Sequence, residues 1–125
     1  MIRKAAVKAN APSGEPTAGS ENQGTWAPTL STVAFLAKSL SDENRLRVLL
    51  SLGQGRLSVS RLVETLELSQ PLISHHLKEL KRSLLVKVER QGPFVYYELA
   101  DQSILRIIED LQTMAGALLA NRRTF

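Results

Sequence analysis

The stretch SQPLISHHLKELKRSL, Ser69 to Leu84, carries the residues of this chain best suited to chemistry. It holds the only two histidines, His75 and His76, among hydroxyl, amide and cationic side chains. On a helical wheel Ile73, Leu77, Leu80 and Leu84 share one stripe, while Pro71, Ser74, His75, Lys78 and Arg82 fall broadly opposite. Ser69 suits an N-cap, and Pro71 suits a first turn, where a missing N–H matters little. An amphipathic helix is therefore expected here, with a core face and a polar, basic face. The chemistry that such a face offers is hydrogen bonding to a polyanion. A merely solvated face is the commoner fate of an arbitrary polar helix side, so the surrounding elements must decide.

Other chemistries find little support. Consecutive helix residues diverge by about 100°, so His75 and His76 cannot chelate one ion as an i, i+4 pair would. His76 leans toward the core stripe and is expected to pack, whereas His75 points outward. No cysteine is present, which removes disulfides and thiolate metal sites. No nucleophile elbow, Gly-rich phosphate loop or paired-carboxylate constellation appears, so neither an enzyme nor a cofactor is expected. Tyr96 and Tyr97 read as strand residues, one inward and one outward.

Length and charge narrow the class. The 125 residues, 43% of them hydrophobic, suffice for one compact domain with a real core. The net charge is +4. Five basic residues (Lys78, Lys81, Arg82, Lys87, Arg90) stand against two acidic ones (Glu79, Glu89) between Gln70 and Gly92, so the excess of the folded part sits on this helix and the segment directly after it. No apolar run approaches the roughly 20 residues of a membrane helix, and Arg3, Lys4 and Lys8 precede no apolar block. A soluble, cytoplasmic protein with no membrane role is expected.

The elements that must position the helix can be read in order. Residues 1–27 are rich in small and polar types and are expected to form a disordered tail, with a second short tail at 122–125. Between them, residues 28–121 form the domain. A first helix is expected from Pro28 to Leu40, broad in apolar surface. Ser41 is expected to cap a second helix, with Asp42 and Glu43 in its first turn and Gly53 at its end. Leu57 and Val59 alternate with Ser58 and Ser60, consistent with a very short strand before a third helix from about Ser60 to Leu66. Glu67 to Ser69 links this helix tightly to the next. After Leu84 the period changes from helix to strand: Leu85, Val86, Val88 and Glu89, then Phe94, Val95, Tyr96, Tyr97 and Leu99, flank a Gln91-Gly92-Pro93 tip as a hairpin. A long last helix from about Asp101 to Ala120 carries more apolar surface than a small domain needs. Its Ile104, Ile107, Ile108, Leu111, Met114 and Leu118, with Leu30, Val33 and Ala37 of the first helix, are expected to form a homodimer interface.

Helix, turn, helix, then a β-hairpin is the order of a winged helix, a mainly α fold in which the second helix enters the major groove and the hairpin grips the flanking backbone. Double-stranded DNA is then the expected partner. Ser69, Gln70, Ser74, His75 and Lys78 are expected on base edges, since Gln suits adenine, Ser suits a base or phosphate, and Lys suits guanine or backbone. Lys81, Arg82, Lys87, Arg90, Gln91 and Gly92 are expected on phosphates, which supply affinity rather than sequence choice. The alternative is a winged helix that serves protein interaction without specific DNA binding.

At this level the sequence also resembles the ArsR/SmtB family of bacterial winged-helix transcriptional regulators. LSDENRLRVLLSL (Leu40 to Leu52), RLSVSRLVETLELSQPLISHHLKELKRSLLV (Arg56 to Val86) and ERQGPFVYYEL (Glu89 to Leu99) carry the resemblance. It implies that the helix matching Ser69 to Ser83 reads DNA, that the hairpin from Val86 to Leu99 is the wing, and that the terminal helices make a homodimer. It also implies repression of an operon relieved by an inducer, of unknown chemistry here. Metal-sensing members resemble ELCVC where this chain has Arg56, Leu57, Ser58, Val59 and Ser60, and serine hydroxyls are poor ligands for the ions that thiolates select. Members that use the last helix place histidines and carboxylates there, and no histidine follows Asp101. Neither familiar metal site has its ligands. Ser83 stands where a helix-ending glycine is typical.

Overall fold

A computed structural model describes residues 29–122. The tails expected at residues 1–27 and 122–125 lie, but for residue 122, outside the described residues. Packing divides the chain after Val33; the hydrophobic core belongs to the unit that begins at Ala34.

The described elements are α1 (Leu30–Ser39), α2 (Glu43–Ser51) with a 3-10 turn (Leu52–Gln54), β1 (Leu57–Ser58), α3 (Val59–Leu66), α4 (Gln70–Arg82), β2 (Val86–Gln91), β3 (Phe94–Leu99) and α5 (Ser103–Ala120). The three strands form one antiparallel sheet in the order β1-β3-β2. This is a winged helix-turn-helix: α3 and α4 are the paired helices, and β2 with β3 is the wing.

Local chemistry sets the boundaries. Asp42, not Ser41, caps α2: its Oδ1 accepts from the Arg45 N–H at 3.0 Å, while the Ser41 hydroxyl donates backward to the Lys38 carbonyl at 2.6 Å. Ser41 thus closes α1 and Asp42 opens α2, its carboxylate serving a first-turn N–H that has no acceptor within the helix. The α2 segment continues past Ser51 as a 3-10 turn, and Gly53 lies within that turn rather than ending the helix. A Cβ there would stand 3.0 Å from Leu105 Cδ1, so glycine lets α5 approach closely. The strand expected around Leu57 is two residues long, and Ser58 ends it by accepting from the Arg61 N–H at 3.2 Å, which starts α3 one residue before Ser60.

The connection between α3 and α4 turns on Glu67, which takes the left-handed conformation at φ 57° and donates its N–H to the Val63 carbonyl at 2.9 Å. Ser69 then caps α4, its Oγ accepting from the Leu72 N–H at 3.3 Å. Ile73, Leu77 and Leu80 of α4 are buried in one cluster with Val48, Leu49 and Leu52, Leu62 and Leu66, and Leu85, Val86 and Leu99, and His76 of the same helix is buried too. Each fully buried aliphatic chain contributes roughly 1.5–3 kcal/mol, and this shared core fixes α4 to the domain.

Leu84 departs from the core stripe expected of it. It is 79% exposed, at φ 67°. The left-handed residue that leaves α4 is Leu84, and the chain turns there before the stripe can continue. Ser83 is instead buried, donating its hydroxyl to the carbonyls of Glu79 and Leu80 at 3.2 and 3.1 Å, so a serine serves where glycine is typical.

The last helix also differs from its expected use. Ile104 and Ile108 are 7% and 3% exposed and belong to the domain's own core, so they are not available to a partner. They lie four residues apart on the side that meets the core, and the helix turns Ile107, Leu111, Met114 and Leu118 outward. Asp101 precedes the helix; its carboxylate accepts from the Ser103 N–H at 2.8 Å, which holds it below the usual range. Helix α1 buries none of its residues: Leu30, Val33, Phe35, Leu36 and Ala37 are all exposed.

Candidate nucleic-acid interface

Helix α4 presents Gln70, Ser74 and Lys78 at four-residue steps, with His75 and Arg82 beside them, and all are exposed. Ser69 is exposed too, but its Oγ is occupied as the cap. Lys81 and Arg82 close the helix, where cations also complement the dipole. Arg82 donates through Nη2 to Glu79 Oε1 at 2.6 Å, and this hydrogen bond holds the Glu79 carboxylate below its ordinary range. The helix therefore brings together the side chains expected on base edges, and it holds one of the expected phosphate contacts in an ion pair with its own neighbour.

The two histidines separate as their spacing predicts. Their ring centroids are 5.6 Å apart with planes at 58°, His75 exposed and His76 4% exposed. Neither nitrogen of His76 has a hydrogen-bond partner among the described residues. Its Nε2 lies 3.9 Å from Asp42 Oδ1, too far for a hydrogen bond. Burial lowers the His76 pKa; the Asp42 carboxylate opposes that shift, and Arg45 and His75 add to it. Asp42 itself is held low, first by the Arg45 N–H.

The wing resolves into two faces. Along β2, Lys87, Glu89 and Gln91 share one face, and Val86, Val88 and Arg90 the other. Val86 is buried, so the second face is the core side, and Arg90 continues it beyond the core toward the tip. Register places Lys87 opposite Glu98, Glu89 opposite Tyr96, and Arg90 opposite Val95. Lys87 thus has a carboxylate as its cross-strand neighbour, whereas Arg90 has an aliphatic one. Both are exposed. Gly92, at φ 60°, makes the tip possible.

The sequence assigns Arg56 no role of its own. In the structure it joins the wing: Nη1 lies 2.6 Å from Glu89 Oε1, Nη2 donates to Gln91 Oε1 at 3.0 Å, and the guanidinium carbon sits 4.6 Å from the Tyr96 ring centroid. Gln91, expected on a phosphate, thus has its carbonyl oxygen already engaged. The one sequence signal was an opposite-charge pair 33 residues apart, which means nothing until β1 is known to lie beside β3.

No group of three or more histidines, cysteines or carboxylates that could hold a metal ion occurs among the described residues. At the position that resembles ELCVC in metal-sensing members, Ser58 Oγ instead accepts the Arg61 N–H that caps α3. No described helix is long and apolar enough to cross a membrane.

Comparison with known proteins agrees with this architecture. Residues 42–88 match the profile described as bacterial regulatory protein, arsR family. The chain is 37% identical over 87 residues to the HTH-type transcriptional repressor SmtB of Mycobacterium tuberculosis, an alignment covering 70% of this chain and 64% of that protein. It is 37% identical over 79 residues to the transcriptional activator HlyU of Vibrio cholerae, covering 63% of this chain and 73% of HlyU. Among solved structures it is similar to Mb0332 from Mycobacterium bovis, a homodimeric winged helix-turn-helix DNA-binding domain described as a possible ArsR-family transcriptional regulator. The TM-score is 0.63 and the identity 26%, over 84% of this chain and 91% of that one.

Proposed function

The chain belongs to the arsR family of bacterial regulatory proteins, a family of regulators rather than enzymes, and we propose that it is a homodimeric, sequence-specific DNA-binding repressor of the cytoplasm. The exposed row Gln70, Ser74, His75 and Lys78 on a helix fixed by its buried side carries this reading. In it, α4 lies in the major groove, and Lys81, Arg82, Lys87, Arg90, Gln91 and Gly92 meet phosphates on either side. Two half-sites related by the dimer axis then read an inverted repeat.

The dimer rests on α1 and α5. Ile107, Leu111, Met114, Leu118 and Leu119 leave an apolar row along α5, and Leu30, Val33, Phe35 and Leu36 leave another on α1. Apolar rows of this size are what a partner subunit covers. The named relatives include both a repressor and an activator. Repression results if the operator overlaps the promoter.

Titration of a fragment containing the protein's own promoter, at several salt concentrations, tests the proposal. Specific binding is expected to exceed bulk binding by about a thousandfold or more. Equal affinity for all fragments would favour a protein-interaction module instead. A thermal-shift screen of metals and metabolites would identify an inducer, since a ligand that binds the native state raises stability by mass action. High-affinity zinc binding would contradict a regulator without the family's metal sites.

A further inference from the structure

We propose that Arg56 is the positioning residue of the wing, and that its task is to remove the Glu89 carboxylate from the field that approaching DNA meets. The proposal deepens the DNA-binding reading and rests on it.

Arg56 lies just before β1, outside both the helix pair and the hairpin. Its guanidinium nevertheless meets three side chains of the wing at once: Glu89 at 2.6 Å, Gln91 at 3.0 Å and the face of Tyr96 at 4.6 Å. Glu89 and Gln91 are on β2 and Tyr96 is on β3, so one residue spans both strands of the hairpin near its tip. The backbone ladder reaches that far only through the β2-β3 pairs, because β1 is two residues long and pairs with Tyr96 and Tyr97 alone. Arg56 extends the support that β1 gives. Its planar fork is suited to holding two acceptors and an aromatic face together, and lysine is not.

A wing that meets phosphates is weakened by a carboxylate near its tip, and Glu89 sits between Lys87 and Arg90 in sequence. Lys87 faces Glu98 across the sheet. With Arg56 on Glu89, the carboxylate nearest the tip on this face carries its own cation. Both partners of the Arg56–Glu89 pair are 36% and 44% exposed at the side chain. Pairs so open add little to folding stability. Their consequence belongs to the wing and its ligand.

The test is a cycle of Arg56→Gln, Glu89→Gln and the double variant, measured against the promoter fragment and by amide hydrogen exchange without DNA. Arg56→Gln should weaken DNA binding about threefold per wing, hence about tenfold for a dimer, as one uncompensated charge faces a phosphate at several ångströms in water. It should move Tm by less than about 5 °C. Restoring electroneutrality in the double variant should return affinity to within about twofold to threefold of the starting protein, with an unchanged salt slope. If Arg56 instead contacts phosphate itself, the double variant stays as weak as Arg56→Gln and its salt slope falls by about one per protomer, which overturns the proposal. Independently of any DNA, Arg56→Gln should speed exchange at the β2 and β3 amides near Gly92 while α4 amides hold. Unchanged exchange at the tip overturns the positioning role, even if the promoter proves to be the wrong ligand.

Discussion

Nε2 of His76 lies 3.9 Å from Oδ1 of Asp42, so the buried side of α4 meets the cap of α2 through an unbonded imidazole and a carboxylate. Burial keeps the imidazole neutral, and its pKa falls below the ordinary 6.5. The unfolded chain therefore binds the extra proton first, and stability rises with pH. That stability is complete above about pH 6.5 and is lost as pH falls through that value, at up to about 1.4 kcal/mol per pH unit. Asp42 adds a separate loss only below the carboxylate range, since its own pKa is depressed from 3.8.

Urea unfolding at pH 7.5, 6.5 and 5.5 is expected to show this decline, and His76→Leu is expected to flatten it whatever its absolute stability. A native protein equally stable at all three pH values would mean that the joint does not sense protons.

The two faces of α5 can be tested apart, since Ile104 and Ile108 are buried in the domain core while Ile107, Leu111, Met114 and Leu118 are exposed. Ile108→Ala should destabilise the domain by about 2–4 kcal/mol, because it opens a cavity in the core that Ile108 shares with α2 and α4 and that cannot fully collapse. Leu111→Glu should leave the domain folded and give a monomer in sedimentation velocity, with much weaker operator binding. A dimer that survives Leu111→Glu would move the interface off this helix.

The exit from α4 offers a stabilising change. Leu84 holds φ 67° with its side chain in solvent, so Leu84→Gly should raise stability by about 1 kcal/mol by relieving the left-handed backbone. Ser83→Gly should lower it, since it removes the buried hydroxyl that serves two carbonyls. Thermal denaturation of the pair decides; a gain for Ser83→Gly would contradict the assignment of the turn to Leu84.

Contacts with DNA should divide by side chain. Arg90→Ala is expected to weaken all sequences alike and to reduce the salt slope by about one per protomer. Lys87→Ala is expected to do less, because Glu98 stands opposite it. His75→Ala should shift the preference between operator variants while leaving the salt slope unchanged, and an unaltered preference would remove His75 from the base-reading set. Competition binding at two salt concentrations reads all three.

Much of this protein was legible as a string of residues because the governing interactions are local. Ser69 caps its own helix, Ile73, Leu77 and Leu80 recur at the helical period, and the switch to alternation after Leu84 marks the wing; each comes from backbone geometry within a few residues. Gln70, Ser74, His75 and Lys78 could be placed on one exposed face for the same reason. What needed the tertiary structure depends on partners distant in sequence or on a choice between neighbours. Ser41 and Asp42 are both good caps, and only the folded backbone shows which carries the free acceptor. Ile104 and Ile108 match the apolar stripe as well as Leu111 does, but the core reaches only the first turns of α5 and claims them. Arg56 and Glu89 are 33 residues apart, and their pairing exists because β1 lies beside β3, a contact that no periodicity encodes.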